Sequence, residues 1–192
     1  QLLAELCAAE QFGSLLCLDL HENLVTPLAA DALASTTFSR TSGLRKLDVS
    51  RCDMQEDAML QLVPGLAKLE ALEVLNIGGN HVSALVSQAL ASSGLSQMLL
   101  ELLVSDAGVD QPSLQSLCPL LTKLSALRKL DVSRNDIGTA GCEALAAIMP
   151  DMPSLCIVNV RGCNLTRLAA EAFASTAALV PKLEEIIFGE AK

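Results

Sequence analysis

Residues 44–51 read Leu-Arg-Lys-Leu-Asp-Val-Ser-Arg, and residues 127–134 read the same eight amino acids in the same order. The two copies begin 83 residues apart, which is close to three units of 28. An identical stretch at that distance predicts that the chain is built from internal repeats of about 28 residues.

The repeated stretch belongs to a longer apolar frame, L-x-x-L-x-L-x-x-N/C-x-L, which recurs along the chain. Six copies start at Leu15, Leu44, Leu72, Leu99, Leu127 and Leu155, and a partial copy starts at Leu183. The steps between the six starts are 29, 28, 27, 28 and 28 residues. The L-x-L core alternates between inward and outward positions, which is the period of a β-strand with one buried face. The frame therefore predicts one short strand in each copy.

A helix is predicted in the second half of each copy. In residues 141–149 the apolar side chains recur every three or four positions, and Pro150 and Pro153 then end the pattern. Parallel strands lie about 4.8 Å apart, whereas packed helices need about 8–10 Å. The sequence therefore predicts an α/β solenoid, with a curved parallel sheet on the concave side and helices on the convex side.

The frame resembles that of the leucine-rich-repeat family. The length of about 28 residues and the alanine-rich helical half are similar to the ribonuclease-inhibitor-type subclass of that family. The resemblance covers nearly the whole chain and implies a single leucine-rich-repeat domain over residues 1–192, in which residues 1–12 form the helix of a preceding repeat. Because there is no initiator methionine and no polar cap is recognisable, the chain is interpreted as a fragment of a longer protein.

The ninth position of the frame lies where the chain leaves the strand and backbone groups become buried. It is occupied by Asn or Cys in five copies: Asn23, Cys52, Asn80, Asn135 and Cys163. An Asn amide both donates and accepts hydrogen bonds, so it can satisfy such groups. Cysteine is expected to satisfy fewer of them and Ala107 none, which predicts an irregular fourth copy.

Composition and charge exclude several classes of function. The formal net charge of −9 disfavours binding to nucleic acid or to an anionic membrane surface, and no uncharged apolar run is long enough to span a membrane. The seven cysteines are odd in number and include no CxxC pair, which argues against a disulfide framework or a zinc site. We therefore expect a cytoplasmic protein with reduced thiols, no metal and no cofactor.

The two histidines do not suggest a catalytic site. His21 lies at an outward strand position, His81 lies in the turn after Asn80, and no cysteine has a spacing that would pair with either. The carboxylates of the sheet face repeat as a ladder rather than as one isolated pair. The sequence therefore predicts that the chain is not an enzyme.

Basic residues gather beside the predicted strands, although the chain as a whole is acidic. Seven of the 13 Lys and Arg residues flank or line these strands. Nine outward residues are predicted to contact a partner: Lys46, Asp48, Arg51, Asn76, Lys129, Asp131, Arg134, Asn159 and Arg161. The alternative interpretation is that L-x-L-D-x-S is ordinary repeat consensus, and that these side chains only solvate the face and pair with one another.

The extended concave surface of a solenoid favours binding. The predicted function is a protein–protein interaction module or scaffold that binds a partner protein through its concave face. The resemblance leaves two alternatives. One is a regulator of a GTPase, because the ribonuclease-inhibitor-type subclass includes the Ran GTPase-activating proteins. The other is a cytoskeletal or assembly domain that associates with itself through an uncapped N-terminal end.

Overall fold

The computed structural model describes residues 14–41 and 43–189, and within them it has one open sheet of seven parallel strands. The strands lie side by side in chain order: β1 Cys17–Asp19, β2 Lys46–Asp48, β3 Val74–Asn76, β4 Glu101–Leu103, β5 Lys129–Asp131, β6 Ile157–Asn159 and β7 Glu185–Ile187. The predicted α/β leucine-rich-repeat solenoid is confirmed. The helix predicted at residues 1–12 lies outside the described residues.

A helical segment follows each of the first six strands. The helices are α1 Pro27–Ala32, α2 Phe38–Arg40, α3 Glu56–Leu66, α4 Ala84–Ser92, α5 Gln111–Leu121, α6 Gly138–Ile148 and α7 Arg167–Ala177. The residue after the last apolar frame position sets where several of them begin. Its side-chain oxygen accepts a backbone N–H of the first helical turn at Thr26, Ser83, Asp110 and Thr166, which is the ordinary N-cap role of these residue types.

The core is a ladder of apolar side chains from the middle of each strand. Adjacent strands pair in register, so that Leu47 lies between Leu18 and Leu75. The middle residues of the first six strands are at most 7% exposed: Leu18, Leu47, Leu75, Leu102, Leu130 and Val158. Full burial of one such side chain stabilises the fold by about 1.5–3 kcal/mol. Stacking of successive repeats therefore supplies the core that no single repeat could form.

In the third and fifth repeats, asparagine at the ninth frame position connects the repeat to the one before it. Asn80 Nδ2 donates to the Val49 carbonyl of the preceding repeat at 2.8 Å and to the Ile77 carbonyl of its own repeat at 3.0 Å. Its Oδ1 accepts the N–H groups of Cys52 and Met54 at 3.0 and 3.1 Å. The corresponding partners of Asn135 are Val104, Val132, Ala107 and Val109.

Cysteine at this position retains the donor role and is only a weak acceptor. The Cys52 thiol donates to the Leu20 carbonyl at 3.0 Å, and the Cys163 thiol donates to the Val132 carbonyl at 3.1 Å. The Asn23 N–H lies against the Cys52 sulfur, and the Val25 N–H bonds to the Cys52 backbone carbonyl at 3.0 Å. Asn23 donates to the carbonyls of its own turn.

The neighbours of Ala107 compensate for its missing amide. The Val82 N–H donates to the Ala107 carbonyl at 2.8 Å. An asparagine at residue 107 would reach the carbonyls of Ile77 and Val104. Asn80 donates to the Ile77 carbonyl and Asn135 donates to the Val104 carbonyl instead. As expected, the Ala107 side chain satisfies none of these groups, and its own backbone carbonyl and the two neighbouring asparagines satisfy them instead.

Departures from 28 residues are absorbed in the helices. The first repeat has one extra residue, and between α1 and α2 its helix passes through a π-helical turn at Leu33–Thr37, which accommodates a single insertion. The third repeat has one residue fewer, and α4 has 9 residues where α3 and α5 each have 11. The irregularity expected in the fourth copy thus lies in the helix of the third.

The π-helical turn packs closely against α3. A Cβ atom on Gly65 would lie 2.5 Å from both Cα and Cβ of Ala34 and 2.9 Å from the Phe38 ring. The Lys68 ammonium donates to the Ala34 carbonyl at 2.8 Å. Because the inserted turn fills the space beside residue 65, that position has room only for glycine.

We predict that Asn80→Ala lowers the free energy of unfolding by about 3 kcal/mol, because it leaves several buried backbone groups without partners. Asn80→Cys should cost less, since a thiol retains the donor role, and Asn23→Ala should cost about 1 kcal/mol or less because Asn23 is exposed. Urea denaturation of the three variants measures this order. Equal losses would contradict the role assigned to the amide.

We predict that Gly65→Ala is destabilising by about 1–3 kcal/mol, because the new methyl group overlaps the backbone of the π-helical turn. In an open helix the same substitution would stabilise by up to about 1 kcal/mol. Gly43→Ala is the matched control, because a Cβ there meets nothing within 4 Å. Thermal denaturation in which Gly65→Ala gains stability would contradict the close packing.

Candidate functional site

The uncovered face of the sheet has two parts with different chemistry. The strand zone comprises the outward residues of β1–β7. The turn groove is a depression of about 350 Å³ where the strands end. The turn groove is lined by Ser50, Arg51, Asn76, Gly78, Gly79, Ser105, Asp106, Ser133, Arg134, Asn159 and Arg161. Five of the nine predicted contact residues line it: Arg51, Asn76, Arg134, Asn159 and Arg161.

In the first half of the strand zone, the polar side chains bond to one another. Asn76 Nδ2 donates to Asp48 Oδ2 at 2.9 Å. Asp48 Oδ1 also accepts the N–H and the hydroxyl of Ser50, at 3.0 and 2.6 Å. Lys46 is exposed at the start of β2. The carboxylate of Asp48 is therefore largely engaged within the sheet.

The second half of the strand zone repeats this arrangement. Asn159 Nδ2 donates to Asp131 Oδ2 at 3.0 Å, and Asp131 Oδ1 accepts the Ser133 N–H at 2.9 Å. Lys129 pairs with Glu101 across adjacent strands at 3.7 Å. Because Leu103 lies between the two Asp–Asn pairs, the polar ladder is interrupted at β4. The geometry of these residues agrees with the alternative interpretation, in which the polar side chains of the sheet pair with one another.

The groove is formed by a turn that recurs in the same conformation. The eighth position of the frame, which directly precedes the Asn/Cys position, has a positive φ in six successive repeats. Its residues are Glu22, Arg51, Gly79, Asp106, Arg134 and Gly162. The N–H of this residue donates into the next repeat, as when Arg51 donates to the Gly78 carbonyl at 2.8 Å and Arg134 to the Arg161 carbonyl at 2.7 Å. A non-glycine residue in this region costs about 1–2 kcal/mol. Arginine is thus held at two positions where glycine would fit with less strain.

Each groove arginine packs against a glycine of the next repeat. A Cβ on Gly79 would lie 2.6 Å from Cγ of Arg51, and one on Gly189 would lie 2.9 Å from Cγ of Arg161. A Cβ on Gly162 would lie 3.5 Å from Cα of Arg134. Glycine therefore makes room for the arginine stems, whose guanidinium groups remain at the surface.

The groove is positive although the chain is acidic. Three arginines and one acid, Asp106, line it. Arg51 Nη1 lies 3.2 Å from Glu22 Oε1 in an exposed pair, which contributes little stability. Among the described residues, no carboxylate forms an ion pair with Arg134. A guanidinium group without a carboxylate partner in its own chain is suited to bind a carboxylate of another molecule.

The described residues give little support to catalysis. His21 Nδ1 lies 2.8 Å from Asp19 Oδ1, and this hydrogen bond raises the pKa of His21 and lowers the pKa of Asp19. Both side chains are exposed on the first repeat, outside the turn groove. No group of three or more His, Cys, Asp or Glu side chains in the described part of the chain is placed to hold a metal ion.

Three buried cysteines, Cys52, Cys142 and Cys163, are placed as structural thiols. Burial raises the pKa of the Cys52 and Cys163 thiols, and it raises the pKa of Cys142 to about 12. At neutral pH these side chains remain protonated, so they are poor nucleophiles. None of the helices between residues 14 and 189 is both long and apolar enough to cross a membrane.

The nine predicted contact residues omit part of the groove. The structure adds a floor of small residues, Gly78, Gly79, Ser105 and Ser133, and the acidic Asp106. The sequence holds a signal for part of this floor, because a turn position with arginine is followed one repeat later by glycine, at Arg51 and Gly79 and again at Arg134 and Gly162. That pattern predicts contact only once neighbouring repeats are known to lie in register.

Comparisons with known proteins agree with this architecture. A sequence profile described as Leucine Rich repeat matches residues 123–146, which contain β5. No curated protein sequence matches the chain at a significant level.

Two solved structures share the fold at low sequence identity. The structure titled "Leiomodin-1 Actin-Binding Site 2 (ABS2)" is 11% identical, with a TM-score of 0.59 over 71% of this chain and 80% of that chain. Internalin C2 from Listeria monocytogenes is 20% identical, with a TM-score of 0.52 over 94% of this chain and 74% of that chain. Together with the apolar frame and the parallel sheet in register, these similarities identify the chain as a leucine-rich-repeat solenoid.

Proposed function

We propose that the chain is a protein-interaction module and that a partner protein binds in the turn groove of the concave face. The observation that carries the proposal is the positive charge of the groove, with Arg134 free of any described ion pair on a chain of net charge −9. The strand zone is a weaker candidate, because Asp48, Asp131 and their Asn partners bond to one another.

Two further observations support a functional role for this surface. Arg51 and Arg134 occupy strained backbone positions, and strain that is retained at a surface often marks a functional residue. The fold itself provides an extended surface of the kind that solenoids use for binding. A leiomodin fragment named for an actin-binding site has the same fold, so this architecture is compatible with a protein ligand.

The remaining expectations belong to the same proposal. The module is of the ribonuclease-inhibitor type, in keeping with repeats of about 28 residues. It works in a reducing compartment such as the cytoplasm, because the Cys52 and Cys163 thiols donate hydrogen bonds in the turns.

We predict that Arg51→Glu combined with Arg134→Glu weakens partner binding by about tenfold or more, because carboxylates of the partner would then face like charges. Partners recovered with the unmodified chain from cell extract are quantified by mass spectrometry, and affinity is measured for each. The matched control combines Arg40→Glu with Arg167→Glu, which makes the same charge change on exposed helical residues. Full binding by the groove variant would place the interface elsewhere.

Arg134→Gly separates binding from folding. Glycine relieves the positive φ but gains freedom in the unfolded chain, so the free energy of unfolding should change by about 1 kcal/mol or less. Partner binding should still weaken. A variant that loses stability instead, and binds normally once folded, would show that Arg134 is a structural residue.

A further inference from the structure

We propose that the turn groove recognises an extended peptide segment of the partner in which an acidic, a basic and a second acidic side chain alternate with small residues. The inference rests on the proposed function and specifies its ligand. It follows from the order of charges along the groove, which is Arg51, the Gly78–Gly79 gap, Asp106, and then Arg134 with Arg161.

The spacing of the repeats sets the spacing of these charges. Arg51 packs over Gly79 of the third repeat, and Arg134 lies beside Gly162 of the sixth. The two stems are thus three strand spacings apart, which is about 14 Å for parallel strands. An extended chain advances about 3.3 Å per residue, so two acidic residues four positions apart would reach both arginines.

Alternation in an extended chain places the central residue on the same side as the two acids and near Asp106. Residues i, i+2 and i+4 of such a chain point to the same side. Asp106 belongs to the fourth repeat, between the two arginine positions, and its side chain is exposed. It is two strand spacings, about 10 Å, from the Arg51 position, whereas residue i+2 is about 7 Å along the peptide. The long side chain of a lysine at i+2 spans the remaining distance of about 3 Å and meets Asp106, while the acids at i and i+4 meet Arg51 and Arg134.

The ends and the floor of the groove suit such a segment. Arg161 lies next to Arg134 and adds a second guanidinium group at that end. Gly78 and Gly79 carry no charge between Arg51 and Asp106, and the stem of Arg51 lies over Gly79, so no further charged side chain interrupts the order Arg51, Asp106, Arg134. The Glu22–Arg51 pair is exposed on both sides, so a carboxylate of the partner can displace Glu22 at little cost.

The test uses fluorescein-labelled synthetic peptides and the full chain. The first peptide, Gly-Glu-Ser-Lys-Ser-Glu-Gly, has the predicted charge order, which reads the same in both chain directions. The second, Gly-Lys-Ser-Glu-Ser-Glu-Gly, has the same composition and net charge in a different order. Fluorescence anisotropy should give about tenfold tighter binding of the first peptide, and the preference should weaken as salt rises.

The second part of the experiment reverses the charge at one exposed position of the groove. Asp106→Arg should reverse the selectivity, so that the variant binds Gly-Glu-Ser-Glu-Ser-Glu-Gly more tightly than the peptide with a central lysine. The unmodified chain should rank these two peptides the other way. Circular dichroism verifies that the variant is folded, and Asp136→Arg, also an exposed turn position, is the matched control that should leave the ranking unchanged.

The outcomes separate this inference from the proposed function. Equal binding of the two peptides of equal composition, or unchanged ranking in Asp106→Arg, overturns the charge order. Equally tight binding of the all-acidic peptide or of single-stranded oligothymidylate to the unmodified chain also overturns it, since the groove would then be a general anion site. The proposed function fails separately, if Arg51→Glu with Arg134→Glu retains its protein partners.

Discussion

A repeat can bury the backbone of its strand-exit turn only when the adjacent repeat supplies the missing hydrogen-bond partners. The Asn80 side chain makes three hydrogen bonds to the preceding repeat and two within its own turn. The N–H of Arg51 reaches the Gly78 carbonyl in the same way. An unpaired buried backbone group is costly, so the turns and the leucine ladder together hold every repeat in register with its neighbours.

The same constraint forms the candidate binding surface. The residue whose N–H donates into the next repeat at the turn also has a positive φ, which turns the chain out of the strand, and this conformation recurs at one position of each turn. Side chains at that position project beside the corresponding residue of the next repeat. Where that residue is glycine, as at Gly79 and Gly162, an arginine lies over it. The groove is therefore a product of the turn geometry and of the glycines that follow Arg51 and Arg134 one repeat later.

Irregular repeat lengths show how the solenoid protects this register. The extra residue of the first repeat is taken up by the π-helical turn at Leu33–Thr37, and the missing residue of the third shortens α4. The strands remain paired in register throughout. The helices can adapt because their contacts are side-chain packing, whereas the strand and turn hydrogen bonds tolerate no shift.

The sequence by itself determined the strands, the helices and their order, because an apolar frame that recurs about every 28 residues has only one way to bury its leucines. It also determined which residues face outward, including Arg51, Arg134 and Arg161. Only the tertiary structure decided which of these charges are engaged. Asp48 and Asp131 bond to Asn76 and Asn159 of the next repeat, whereas the stems of Arg51 and Arg134 lie beside glycines of the next repeat. These contacts join residues about 28 positions apart in the chain, so they depend on how neighbouring repeats pack.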